Sequence, residues 1–169
     1  MNHLEIAQEL KRNQKVFKHL FHGLNREQYL WKPQPDKWCL LEILCHLHDE
    51  EREDFRARVQ HVLQTPEQPL PPIDPQGWVA SRKYMEHDYD EALNDFLAER
   101  DESVAYLESL QSPNWDSTLI HPKLGSMSAS LFLNNWLAHD YLHFRQITAV
   151  KYMYLKASTK DALNYAGDW

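Results

Sequence analysis

Residues 136–147 read WLAHDYLHFRQI, a stretch with helical periodicity in which His139 and His143 stand where apolar side chains are expected. Phe132, Trp136, His139, His143, Ile147, Val150 and Tyr154 step by three or four throughout, so both imidazoles belong to the buried stripe of one helix. Residues four apart are rotated by about 40° and lie one turn apart, so both rings can reach a single point. A helix donates two nitrogen ligands to a metal in this way. The alternative is a pair of core histidines, each hydrogen-bonded to a neighbour. Burying two imidazoles side by side is costly without partners, and protonating both adds repulsion. A shared cation removes both costs, which puts metal binding slightly ahead on this helix alone.

A third ligand has to come from another helix. The run HLHDEE offers His46, His48, Asp49, Glu50 and Glu51. Simple periodicity selects His48, on the side of Leu44 and Phe55, whereas His46 points roughly 160° from Leu44. His46 faces a partner only if its helix is flanked on several sides. His3, His19, His22, His61, His87 and His121 lie near ends, in loops or among polar residues and read as solvated.

Four long helices can position these groups. They are expected over about residues 4–24, 38–63, 89–110 and from Ser126 or Ser128 to near Tyr154, with either serine a credible N-cap. No period-two strand pattern competes. The segment TPEQPLPPIDPQGW reads as an extended connection because its prolines exclude a regular helix. The economical way to bury four apolar stripes is an all-α four-helix bundle. A crossover of about 25 residues between helices two and three can traverse the bundle at roughly 3.3 Å per residue, which permits a parallel neighbour pair. The bundle is expected over residues 1–157. The tail STKDALNYAGDW, residues 158–169, is too short and irregular for a further core helix. Its Tyr165 and Trp169 have two docking options, the bundle or a second subunit, which makes a homodimer a candidate assembly.

A chain of 169 residues is large enough to bury a core as one domain without disulfides. Its formal net charge of −7 argues against nucleic acid as a partner, because phosphate binding needs clustered Lys and Arg. No apolar run approaches the roughly 20 residues that cross a bilayer, and no membrane partner is expected. The charged, amphipathic N-terminus is unlike a secretory signal. Cys39 and Cys45 are about 9 Å apart along one expected helix, too far for an undistorted disulfide. A reduced cytoplasmic setting fits.

The chain resembles the DinB/YfiT-like superfamily of metalloenzymes. The resemblance rests on W38-C-L-L-E42-I-L-C-H46-L-H-D49 and, far downstream, W136-L-A-H139-D-Y-L-H143-F-R-Q146-I. The segments HPKLGSMSASLFL and RKYMEHDYDEALNDFLAERD resemble the family's entries to its last and third helices. The resemblance implies that His46, rather than His48, joins His139 and His143 as a metal-binding triad. It also implies a bundle of up-down-down-up topology. Where the family usually has Ser or Thr after the tryptophan, this chain has Cys39, a poorer cap. Its helix is therefore expected to start from Asp36.

Three neutral histidines with an open coordination position suit a catalytic metal better than a structural one. Nitrogen ligands suit zinc, nickel or iron, with zinc the default. Such an ion activates a water or a thiol, and the resemblance includes S-transferases and an isomerase that use low-molecular-weight thiols. The expectation is a metal-dependent enzyme, thiol S-transferase or hydrolase, acting on a small-molecule substrate. The alternative is a non-catalytic metal-binding bundle or an interaction module. Asp49, three residues after His46, is the candidate catalytic group, as an acceptor behind a ligand or a base near the metal. A solvated surface carboxylate is an equal reading. Gln146 is placed to bond near the site, Trp38 and Trp136 to wall it, and Cys45 to fill core space.

Overall fold

Several helices begin where a side chain satisfies a free N–H group of the first turn. Asn2 and Glu5 form a reciprocal capping box at the start of α1 (His3–Phe21), with bonds of 2.7 and 2.9 Å. Asn25 and Gln28 repeat the device for the short α2 (Arg26–Leu30). The second long helix is one rod in three parts: α3 (Leu40–Asp49), a π-helical turn (Glu50–Phe55) and α4 (Arg56–Gln64). Asp88 caps α6 (Tyr89–Ser109), and Ser128 caps α7 (Ala129–Ser158) by accepting from the Leu131 N–H at 3.1 Å. This computed structural model describes residues 1–165, 167 and 169.

Two expectations are corrected. The proline-rich connection is not extended throughout, because α5 (Pro75–Ser81) interrupts it. Pro75 occupies the first turn, where its missing N–H costs nothing, and Asp74 accepts from the Gly77 N–H at 3.0 Å. The loop before α7 contains an antiparallel hairpin, β1 (Thr118–His121) with β2 (Gly125–Ser128), in which Leu119 faces Met127. Leu119 is the buried residue of β1, so four-residue strands gave too little alternation to read. Gly125, at φ +77°, opens β2 in a left-handed conformation that favours glycine.

The four long elements enclose two apolar clusters. One holds Phe17, Phe21, Leu47, Phe96 and Ile147, the other Leu10, Phe55, Val104 and Trp136. Between them lies a buried polar layer to which every long element contributes: Asn13, Glu51, Arg100 and Asp140. The chain passes this layer from the second cluster to the first in α1 and α7, and in the opposite sense in α3–α4 and α6.

Arg100, 1% exposed, holds the layer together. Its Nη1 and Nη2 donate to the two Asp140 oxygens, both at 2.8 Å, and Nη2 also donates to Glu51 at 2.9 Å. Its Nε lies 2.7 Å from the other Glu51 oxygen, in a bent ion-pair contact. Nη1 reaches the Leu10 carbonyl at 3.2 Å, and Asn13 donates to Asp140 at 2.9 Å. The Trp136 indole N–H completes the set by donating to Glu51 at 2.9 Å.

Phe17 is fully buried and meets Phe96 edge-on with centroids 5.3 Å apart. Phe17→Ala is expected to lower stability by roughly 3–5 kcal/mol, read from urea unfolding. A loss below about 1 kcal/mol would show that this part of the core is not closely packed.

Candidate functional site

The site starts with the entry to α3. Cys39 occupies the N-cap position, and Glu42 accepts its N–H at 2.9 Å while also accepting from the Lys32 ammonium at 2.7 Å. Asp36 does not serve as the cap; it is exposed and paired with Lys37. A helix start fixed by Glu42 sets the rotation of α3, and with it the direction of His46 one turn further on.

His46 faces the bundle because α3 has no solvent side over most of its length. Leu40 to Leu47 are all buried, against α2, α5, α6 and α7. The single-stripe assumption behind His48 therefore fails. The π turn adds a second reason. Arg56 donates its N–H to Glu51, five residues back, so the helix gains about one residue per turn there. Phe55 consequently swings toward the triad, its ring 4.8 Å from that of His139. Counting seven residues back from Phe55 through an unbroken α-helix leads to the wrong histidine.

The structure brings His46, His139 and His143 together, each offering one nitrogen within 4.8 Å of the others. The Nε2 atoms of His139 and His143 are 2.9 Å apart, and His46 lies 5.6 and 5.1 Å from them by ring centroids. His46 and His143 are buried, and His139 is half-buried. Nδ1 of His46 and Nδ1 of His143, by contrast, are buried without a hydrogen-bond partner.

Burial pushes all three imidazoles toward the neutral form. His46 falls to about 3, with His143 adding to the effect, and His139 falls to about 2, with His143, His46 and Arg100 adding. His143 falls to about 4, because Gln146 and Asp140 partly oppose its burial. Neutral imidazoles present lone pairs, so the donor set fits a divalent cation at ordinary pH. Tetrahedral bonds of about 2.0–2.1 Å separate nitrogen ligands by about 3.3 Å, within reach of small side-chain adjustments.

The triad opens into a cavity of about 820 Å³, lined also by Trp38, Glu50, Gln76, Arg145, Gln146 and Trp169. Trp38 lies 4.8 Å from the His46 ring. Trp169 reaches the cavity from the tail by stacking on Tyr152 at 4.5 Å. Trp136 is not a wall; it is buried against Phe55 and bonded to Glu51.

Asp49 is turned away from the triad. It accepts from the Tyr84 hydroxyl at 2.5 Å and from Arg82 at 2.7 Å, in a separate cavity that also includes His48 and Cys45. The carboxyl on the triad's cavity is Glu50, one turn after His46, a spacing legible in the sequence but not singled out there. Burial and the neighbouring carboxylate of Asp54 push Glu50 up to about 8. Asp54 is itself ion-paired with Arg58.

A family model of the DinB superfamily matches residues 9–147, and the chain belongs to that superfamily. No curated protein matches the chain in sequence. Among solved structures, YfiT from Bacillus subtilis is similar, with 17% identity and a TM-score of 0.75 over 86% of this chain and 83% of that one. YfiT is described as "a probable metal-dependent hydrolase with an unusual four-helix bundle topology". The likeness shows that the two chains share a fold.

The depressed histidines have a consequence for the metal-free protein. Unfolding restores each pKa toward 6.5, so below that pH the unfolded chain binds more protons than the folded one. Their contribution to stability is complete above about pH 6.5 and is lost progressively as pH falls toward 4. Urea midpoints measured with chelator at pH 7 and pH 5 should drop more for the wild type than for His46→Gln. Equal drops would contradict burial of a neutral imidazole at position 46.

Proposed function

We propose that this member of the DinB superfamily is a metal-dependent enzyme in which His46, His139 and His143 hold a divalent cation at the floor of an open cavity. One observation carries the reading: three imidazoles that burial holds neutral converge there, each offering a nitrogen within 4.8 Å of the others. The description of YfiT as metal-dependent supports it. Nitrogen ligands favour zinc, with nickel or iron also suited. The bound ion would supply Lewis acidity, lowering the pKa of a water or a thiol.

The chain's own residues supply binding and proton transfer. Glu50, buried at the cavity edge, is the group that takes and returns the proton, rather than Asp49, whose carboxyl is held by Tyr84 and Arg82. Arg145 offers the cavity's guanidinium to an anionic part of the substrate, and Trp38 shields one side of His46. The reaction class is hydrolysis or transfer to a low-molecular-weight thiol. Two buried free cysteines accord with a reducing compartment, where a thiol substrate stays reduced.

A rival reading has its own observation. The 2.9 Å contact between the Nε2 atoms of His139 and His143 also suits an N–H···N hydrogen bond in a bundle without a resident ion.

Elemental analysis of tag-free protein separates the two. The expected result is one divalent ion per chain, lost in His46→Ala, His139→Ala and His143→Ala. Glu50→Gln should keep the ion and lose about a hundredfold or more of turnover on a panel of thiols with electrophiles and of hydrolysable esters and amides. Folded histidine variants that bind added Zn²⁺ as the wild type does would overturn the triad.

A further inference from the structure

The buried layer contains two carboxyls and one guanidinium, a formal surplus of one negative charge where water is excluded. Such a surplus is costly unless another cation stands nearby. The layer is built into the same two elements that carry the triad. Glu51 lies five residues after His46 and bonds Arg100 in the core, while Glu50 lines the cavity. Asp140 lies between His139 and His143 in sequence, fully buried. Trp136, one turn before His139, bonds Glu51 and stacks on Phe55, whose other neighbour is the His139 ring.

We propose that the Glu51–Arg100–Asp140 cluster is a positioning element of the metal site. It holds the two histidine-bearing helices in ligand register, and its surplus carboxylate charge strengthens the binding of a divalent cation at His46, His139 and His143. Arg100 is the bridge: it grips Asp140 with two nitrogens and Glu51 with a third contact, so neither helix can shift without breaking charged hydrogen bonds. The inference rests on the triad being a metal site and adds residues that never touch the ion.

Glu51→Gln and Asp140→Asn keep side-chain shape and remove charge. Glutamine at position 51 keeps an acceptor oxygen for the Arg100 guanidinium and the Trp136 indole, so this variant is expected to fold. The measurement is Zn²⁺ and Co²⁺ affinity by competition with a chelator, beside the melting temperature of the metal-free protein. Both variants should bind about ten- to a hundredfold more weakly than the wild type. A purely structural cluster would lower the melting temperature and leave the affinity of the folded protein unchanged. Affinity within twofold of wild type in folded Glu51→Gln overturns this inference and leaves the triad standing. A wild-type chain that binds neither ion overturns both. If neither isosteric variant folds, Asn13→Ala, which loses one hydrogen bond to Asp140, carries the test. It should lose affinity a few-fold, and unchanged affinity counts against the cluster.

Discussion

The bundle depends on a guanidinium buried at its centre. Arg100 cannot shed its proton, and removing it from water carries a desolvation cost that only well-placed acceptors offset. Glu51, Asp140 and the Leu10 carbonyl meet that demand from three different elements, and Asn13 ties α1 to the same carboxylate. An apolar layer tolerates small slides and rotations, because dispersion is non-directional. A forked set of charged hydrogen bonds does not. The layer therefore fixes the axial register of the long elements, and the apolar clusters on either side supply the bulk of the burial.

The π turn follows from the same demand. His46 and Glu50 lie one turn apart and share the cavity, while Glu51 must reach Arg100 on the other side of the rod. The wide turn returns Phe55 to the triad's side. It lies within one helix and requires no loop. The result is a pair of carboxyls, neighbours in sequence, with separate environments: one beside an open cavity and a second carboxylate, the other sealed with an arginine and an indole.

Two further elements shape the access to the triad. The crossover helix α5 brings Pro75 and Gln76 to the cavity, and the tail brings Trp169 by stacking on α7. On the far side of α3, Asp49 anchors Arg82 and Tyr84 and so fastens the end of the crossover to the rod. This carboxylate next to a histidine motif holds Tyr84 and Arg82, and its neighbour at position 50 lines the triad's cavity.

Much of this was legible in the residues. The three-and-four spacing of His139 and His143 placed both on the buried stripe, because α7 is an unbroken α-helix whose phase carries over many turns. The four long helices and the Ser128 cap were equally local properties. Periodicity chose His48 because it assumed one buried face and a constant turn, and α3 violates both. The resemblance selected His46 without giving the physical reason. Only the tertiary structure decided which of the five polar residues in HLHDEE faces what, because that depends on how many neighbours flank the rod and on one extra residue in its turn. Arg100 was silent for the same reason: a charged residue on a helix looks solvated until two carboxylates from distant parts of the chain close over it.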